Sequence, residues 1–200
     1  MKYVEFHVKK LNNELVKLLR KFKYYIIACD NVERHEIMND IMIIPRITSS
    51  STDELKTTPR NVVRAYVVES KNDLKNYPKI RRIANVITLT TEALIRLGPK
   101  SIEKISNLGL PVEVCVNDLI NALETSKHLK GLYNLIRYVI INSVDLIVSS
   151  CPTKTSEVLH PIFIESILEE LGLSSVQAKK ALTQTPIKVL RGIGYNVFLK

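Results

Sequence analysis

An α/β fold, specifically a single TIM-barrel-like (β/α) domain spanning residues 1–200 and either compact or incomplete, is what this sequence predicts. Three observations point there. Short apolar runs alternate with helical periods, and that alternation calls for parallel strands joined by right-handed crossovers. About seven such runs share 200 residues, which is tight for a full barrel. No repeat, low-complexity tract or linker divides the chain. A doubly wound sheet is the competing arrangement.

The runs lie at 24–28, 41–44, 62–68, 86–90, 112–116 and 146–150, with 4–8 as a weaker first member. They are short, mostly β-branched or aromatic, and bounded by polar or turn residues, as strands are. Between them, Leu11, Leu15, Leu18, Leu19 and Phe22 recur at helical spacing. Lys17, Arg20, Lys21 and Lys23 crowd the end of that helix, where the macrodipole favours cations. Helices are expected over 73–83, over 101–108 with Gly109 as its cap, and over 116–123. The stretch 127–141 is apolar on most sides (Leu129, Leu132, Leu135, Ile136, Val139, Ile140) and should be largely buried. The last third is well punctuated. Pro161 suits a first helical position and Gly172 its exit. Phe163, Ile167 and Leu171 make a stripe between them, and Ser174 with Gln177 forms a capping-box pair. Ala178, Ala181 and Leu182 continue that helix; Thr185 and Pro186 open another that Gly192 ends. The loop 48–53 is the best candidate for mobility.

The net charge of +9 is unevenly spread. Residues 60–104 carry ten basic and four acidic side chains, so six of the nine excess charges sit in less than a quarter of the chain. Clustered Lys and Arg suit a polyanionic partner, because phosphates release counterions on contact. A solvated basic face with no partner is the plainer account.

Several chemistries are poorly served. With six glycines and no GxGxxG or P-loop, nucleotide cofactors of those types are not expected. No GxSxG marks a hydrolase nucleophile. Lys154 stands among polar residues that would not depress its pKa for Schiff-base work. A metal-dependent phosphoesterase needs several His, Asp and Glu at strand ends, and here His7, Asp30 and Glu69 are the nearest candidates. No two of the four histidines stand at ligand spacing. Cys29, Cys115 and Cys151 form no CxxC pair and are expected to be reduced residues of a cytoplasmic core. No apolar run approaches the roughly 18 residues of a membrane span, and MKYVEFHVKKLNN contains no signal-peptide h-region. Binding remains. Hydroxyls, a lysine and exposed amides over 149–156, ahead of a helix, are suited to phosphate, with Lys179, Lys180, Lys188 and Arg191 following. An ordinary βα loop with solvated lysines is the alternative.

The run DLIVSS at 145–150, then Glu157 and Val158, Pro161 and its helix, LGL at 171–173, QAKKAL at 177–182 and Pro186 resemble the barrel-type protein subunit of archaeal and eukaryotic ribonuclease P, also called protein component 3. RRIANVIT at 81–88 and PVEV at 111–114 are similar to that family's two middle strands, so the resemblance covers residues 60–192. Leu159 and His160 occupy the family's arginine and small-residue places. The resemblance implies a barrel like that of the polymerase and histidinol phosphatase (PHP) superfamily, without its metal ligands. It implies a non-catalytic, cytoplasmic, RNA-binding subunit that binds no cofactor itself, the catalyst being the RNA subunit with Mg²⁺. It also implies three partners: ribonuclease P RNA, precursor tRNA, and the smaller ferredoxin-like component 2, with which a heterotetramer forms. The holoenzyme removes 5′ leaders from precursor tRNA endonucleolytically. The residues expected to meet RNA phosphates are Arg64, Arg81, Arg82, Arg96, Lys100, Lys154, Lys179 and Arg191. A PHP-type phosphoesterase and a protein-docking scaffold with an idle basic face are the alternatives.

Overall fold

A computed structural model describes residues 2–97, 99–117, 120 and 126–197. The strands are β1 (Tyr3–Val8), β2 (Tyr24–Cys29), β3 (Glu36–Met38), β4 (Ile41–Ser49), β5 (Val63–Val68), β6 (Val86–Leu89), β7 (Val112–Cys115) and β8 (Leu146–Ser149). The helices are α1 (Asn13–Lys21), α2 (Thr52–Thr57), α3 (Tyr77–Ile83), α4 (Thr91–Arg96), α5 (Pro99–Asn107), α6 (Ser126–Asn142), α7 (Pro161–Glu170), α8 (Ser175–Leu182) and α9 (Gln184–Gly192).

Seven strands run parallel in the order β1-β2-β4-β5-β6-β7-β8. Apart from the side hairpin, the order follows the chain without reversal, which is a barrel and not a doubly wound sheet. No ladder joins β8 to β1 among the described residues. That seam is bridged by Ser150, whose backbone amide donates to the Glu5 carboxyl at 3.0 Å, and by the Lys9 amide donating to the Pro152 carbonyl at 3.1 Å.

Alternation along the strands builds two cores. Outward-facing residues such as Ile27, Ile43, Tyr66, Ile87, Val114 and Val148 pack under the helices. Inward-facing Val4, Phe6, Ile26, Ala28, Ile44, Val63, Ala65, Val86 and Ile147 fill the barrel. Ile187, Val189 and Leu190 of α9 join this interior cluster and stop its N-terminal end. Each such side chain gains about 1.5–3 kcal/mol over exposure to water.

Several elements differ from expectation. The stretch 48–53 is not one loop: Thr48 and Ser49 end β4, and Ser51 caps α2 by accepting from the Glu54 amide. A side hairpin pairs β3 antiparallel to β4. Its turn residues Asn39 and Asp40 both have positive φ (50° and 61°), as a two-residue hairpin turn requires. Thr90 leaves β6 to cap α4, a helix that the periodicity did not reveal. The helix expected over 73–83 is a 3₁₀ segment followed by α3. Most of the 116–123 helix lies outside the described residues. Helix α6 is buried on one side only. Leu135, Ile136 and Val139 are inside, whereas Tyr133, Ile140 and Ile141 are exposed; the side chains of Leu129 and Leu132 are outside the described set. The capping box of Ser174 and Gln177 and the left-handed Gly109 and Gly172 stand as the sequence indicates. Among the described residues, no helix is long and apolar enough to cross a membrane.

Candidate nucleic-acid interface and the barrel mouth

At the C-terminal end of the strands, where barrels of this type carry their chemistry, the mouth is filled by a polar cluster. Arg46, wholly buried, reaches across from β4. Its Nη1 donates to Glu113 Oε1 at 3.0 Å and to the Phe6 carbonyl at 2.7 Å. Its Nη2 donates to Glu113 Oε2 and to Thr88 Oγ1, and its Nε to Thr48 Oγ1 at 2.9 Å. Glu113 also accepts from Thr88 (2.7 Å) and Ser149 (2.9 Å). Burial works to raise the Glu113 pKa, but Arg46, then His7 and the donated hydrogen bonds, outweigh it and hold the carboxyl below its ordinary value. Beside this pair, Asp30 accepts from Thr48 at 2.8 Å and contacts His7 Nε2 at 2.9 Å.

Two of the three proposed metal ligands, His7 and Asp30, do meet; among the described residues Glu69 is in no metal-competent group with them. The centre they border is occupied by a guanidinium, with Arg46 Nε 3.8 Å from Asp30. With a permanent cation already seated against the Asp30 and Glu113 carboxylates, the residues present do not fit a PHP-type metal centre. Sequence reasoning missed Arg46 and Glu113 as partners. The signal was a charged residue at an inward position of each of two strands otherwise reading as core.

The loop after β8 is also spoken for. Ser149 donates to Glu113 and Ser150 to Glu5, both inside the barrel. Thr153 gives its amide and hydroxyl to Glu157, and Lys154 lies 3.6 Å from the same carboxylate. Asn117 Nδ2 holds the Ser150 and Glu157 carbonyls. Of the hydroxyls expected to cradle phosphate over 149–156, those of Ser149, Ser150 and Thr153 face carboxylates instead. Leu159 turns its carbonyl to Tyr24, and His160 caps α7 by accepting from the Ile162 amide. The expectation of three reduced cysteines is corrected too, since Cys115 and Cys151 form a disulfide and Cys29 alone is a free thiol.

Among the described residues, no cation is paired with Glu5. Burial pushes its carboxyl up to about 8, against hydrogen bonds from Ser150 that pull it down. A carboxyl whose folded pKa is raised loses stability as pH climbs from its ordinary value of about 4.5 to about 8. Glu5→Gln keeps an acceptor for Ser150 and abolishes the ionisation. It should leave Tm unchanged near pH 4 and raise it by several degrees near pH 9; an equal effect at both pH values would refute the assignment.

The basic residues divide between the two ends. Arg64 enters β5 at its N-terminal end, is half-buried, bonds Asn85, and feels the charge of Arg60. Arg81 and Arg82 occupy the last turn of α3, just before Asn85 and β6. Arg191 ends α9 and donates to the Val197 carbonyl at 2.9 Å, while Tyr195 bonds the Asn61 carbonyl next to Arg60. These arginines thus share the N-terminal rim. Lys179 lies in the last turn of α8, facing the same way along the barrel. Its neighbours Lys180 and Lys188 are exposed and both paired with Asp145 at 2.8 Å. Arg96, Lys100 and Lys154 belong to the opposite end, after β6 and β8. Arg81, Arg82, Arg96 and Lys100 are exposed and without a carboxylate partner among the described residues.

No protein-family model and no curated protein matches this chain. A solved structure does. The chain aligns with a chain of archaeal ribonuclease P, seen by cryo-EM with mature tRNA, at a TM-score of 0.73. The fold is shared with a ribonuclease P protein. The likeness covers 96% of this chain and 94% of that one, at 15% identity. A phospho-2-dehydro-3-deoxyheptonate aldolase from Thermotoga maritima aligns at a TM-score of 0.35 and 10% identity, over 96% of this chain and 68% of that one. Nearly the whole of the ribonuclease P chain is thus represented here, from β1 to α9, with the arginine rim at one end and the Arg46-filled mouth at the other.

Proposed function

We propose that this chain is a non-catalytic, RNA-binding protein subunit of ribonuclease P, acting in the cytoplasm in the endonucleolytic removal of 5′ leaders from precursor tRNA. One observation carries the reading: the end-to-end likeness of fold to a chain of archaeal ribonuclease P, in a molecule solved with tRNA. The residue-level resemblance over 60–192 points the same way. The Arg46–Glu113 pair in the mouth favours a barrel without hydrolytic chemistry of its own, leaving catalysis to the RNA and its Mg²⁺.

Arg60, Arg64, Arg81, Arg82 and Arg191 at the N-terminal rim are the better phosphate-binding group, with Arg96, Lys100, Lys154 and Lys179 as outlying contacts. Phosphate contacts of this kind position a protein on RNA without reading sequence. The exposed apolar residues Tyr133, Ile140 and Ile141 of α6 and Ile162 and Phe163 of α7 supply surface of the kind that a protein partner covers. The ferredoxin-like component 2, in a heterotetramer, is the partner we assign to it. Reconstitution tests the reading. With the RNA and the other protein subunits, omission of this chain should slow precursor-tRNA cleavage or raise the Mg²⁺ it requires. Unchanged cleavage at every Mg²⁺ concentration would sink it.

A further inference from the structure

Next to the Arg46 cluster lies a group of side chains that the RNA-binding reading does not use. His7 is turned into the barrel mouth where the register of β1 against β2 shifts between Glu5 and Val8. Cys115 ends β7, and Cys151 follows β8 with a left-handed φ of 54°. The three are buried, and one ligand atom from each lies within 4.8 Å of the others. His7 Nδ1 is 3.4 Å from Cys151 Sγ and 3.8 Å from Cys115 Sγ.

The other ring nitrogen decides what Nδ1 can do. Nε2 lies 2.9 Å from Asp30 Oδ2. Asp30 Oδ1 accepts from Thr48 and lies 3.8 Å from Arg46 Nε, which leaves Oδ2 placed as an acceptor for His7 Nε2. In the neutral ring the proton is therefore on Nε2, and the Nδ1 lone pair is aimed at the two sulfurs. With Cys115 and Cys151 joined as a disulfide, neither sulfur has a proton to give. An imidazole more than nine-tenths buried is left with an acceptor facing no donor there. A carboxylate holding one imidazole nitrogen while the other faces thiolates is the arrangement of a metal-ligating histidine.

We propose that the reduced form of this chain binds one zinc-class divalent cation through His7 Nδ1, Cys115 Sγ and Cys151 Sγ, with Asp30 orienting the imidazole. Two sulfurs and one imidazole select a soft, tetrahedral ion over Mg²⁺ or Ca²⁺. The chemistry balances in two steps. A phosphine reductant and one water convert the disulfide into two thiols, the phosphine leaving as its oxide after giving up two electrons. The cation then displaces both thiol protons into solvent and binds two thiolates and the neutral imidazole. A water completes the tetrahedron, since Glu113, 3.8 Å from His7 Nδ1, is already held by Arg46. The disulfide ties β7 to the exit of β8, and the metal would tie β1 to both. This inference stands apart from the ribonuclease P reading.

The test uses the whole purified chain, reduced with a phosphine under anaerobic conditions or left oxidised. Cobalt and then zinc are titrated in, following thiolate-to-cobalt charge-transfer absorption and metal retained after gel filtration. The reduced chain should take up one equivalent and show the thiolate band, and the oxidised chain neither. Zinc should raise the urea midpoint of the reduced chain only, a readout that needs no variant. Asp30→Asn should weaken zinc binding about 10–100-fold. Cys115→Ser with Cys151→Ser should abolish uptake, while Cys29→Ser retains it. No uptake by reduced wild type, equal uptake by the double serine variant, or unchanged affinity in His7→Ala would each overturn the proposal.

Discussion

Arg46→Met is expected to destabilise the fold by about 3–5 kcal/mol, because it leaves Glu113 buried without its cation. Phe6, Thr48 and Thr88 each lose a donor as well. Without the guanidinium, burial is the main influence left on Glu113, and the carboxyl then takes up a proton on folding. A raised folded pKa costs stability as pH rises, so the deficit should be larger near pH 8 than near pH 5. Replacing Glu113 by Leu in the same molecule should recover much of the loss, since a matched apolar pair can substitute for a buried ion pair. Urea unfolding of the two single variants and the double variant measures the coupling. Additive losses would mean that the two charges do not act as a pair.

Reversing Arg81 and Arg82 together to Glu is expected to weaken binding to ribonuclease P RNA by roughly 10–100-fold at moderate salt. It should also flatten the dependence of log K on log salt by roughly 0.7–0.9 per phosphate contact removed. Both side chains are exposed and without a carboxylate partner among the described residues, so the fold should tolerate the change. Lys180→Glu with Lys188→Glu is the informative comparison, because those lysines are held by Asp145 and should alter the slope less. An unchanged slope for the arginine pair would remove the N-terminal rim as an RNA surface.

The barrel was legible because strand and helix periods differ and the turns carry strong local chemistry, as in the Ser174 capping box and the Pro161 start of α7. What escaped notice was set by contacts distant in sequence. Cys115 and Cys151 are 36 residues apart and form no recognisable spacing, so nothing local announced their meeting. Arg46 and Glu113 lie 67 positions apart. Hairpin β3 was hidden by its brevity, although Asn39 and Asp40 were its clue. In the sequence, Ser149 and Ser150 suit phosphate because a strand end usually opens to solvent. Inward alternation delivers Ser149 to Glu113, and the seam delivers Ser150 to Glu5. The scarcity of histidine was legible in the sequence; the Arg46 guanidinium beside Asp30 was not.

The seam between β1 and β8 has a consequence for how the chain is made. Glu5 and Ser150 are 145 residues apart and meet through a side chain instead of a ladder. During synthesis, β1 can pair with β2 early, but its other edge meets no partner until Ser150, 145 residues after Glu5, has left the ribosome. Closure is therefore a late, long-range event with a large loop entropy, of the sort that slows folding. The nascent chain passes through an open, curved sheet with an unprotected edge, the species most exposed to aggregation or chaperone capture.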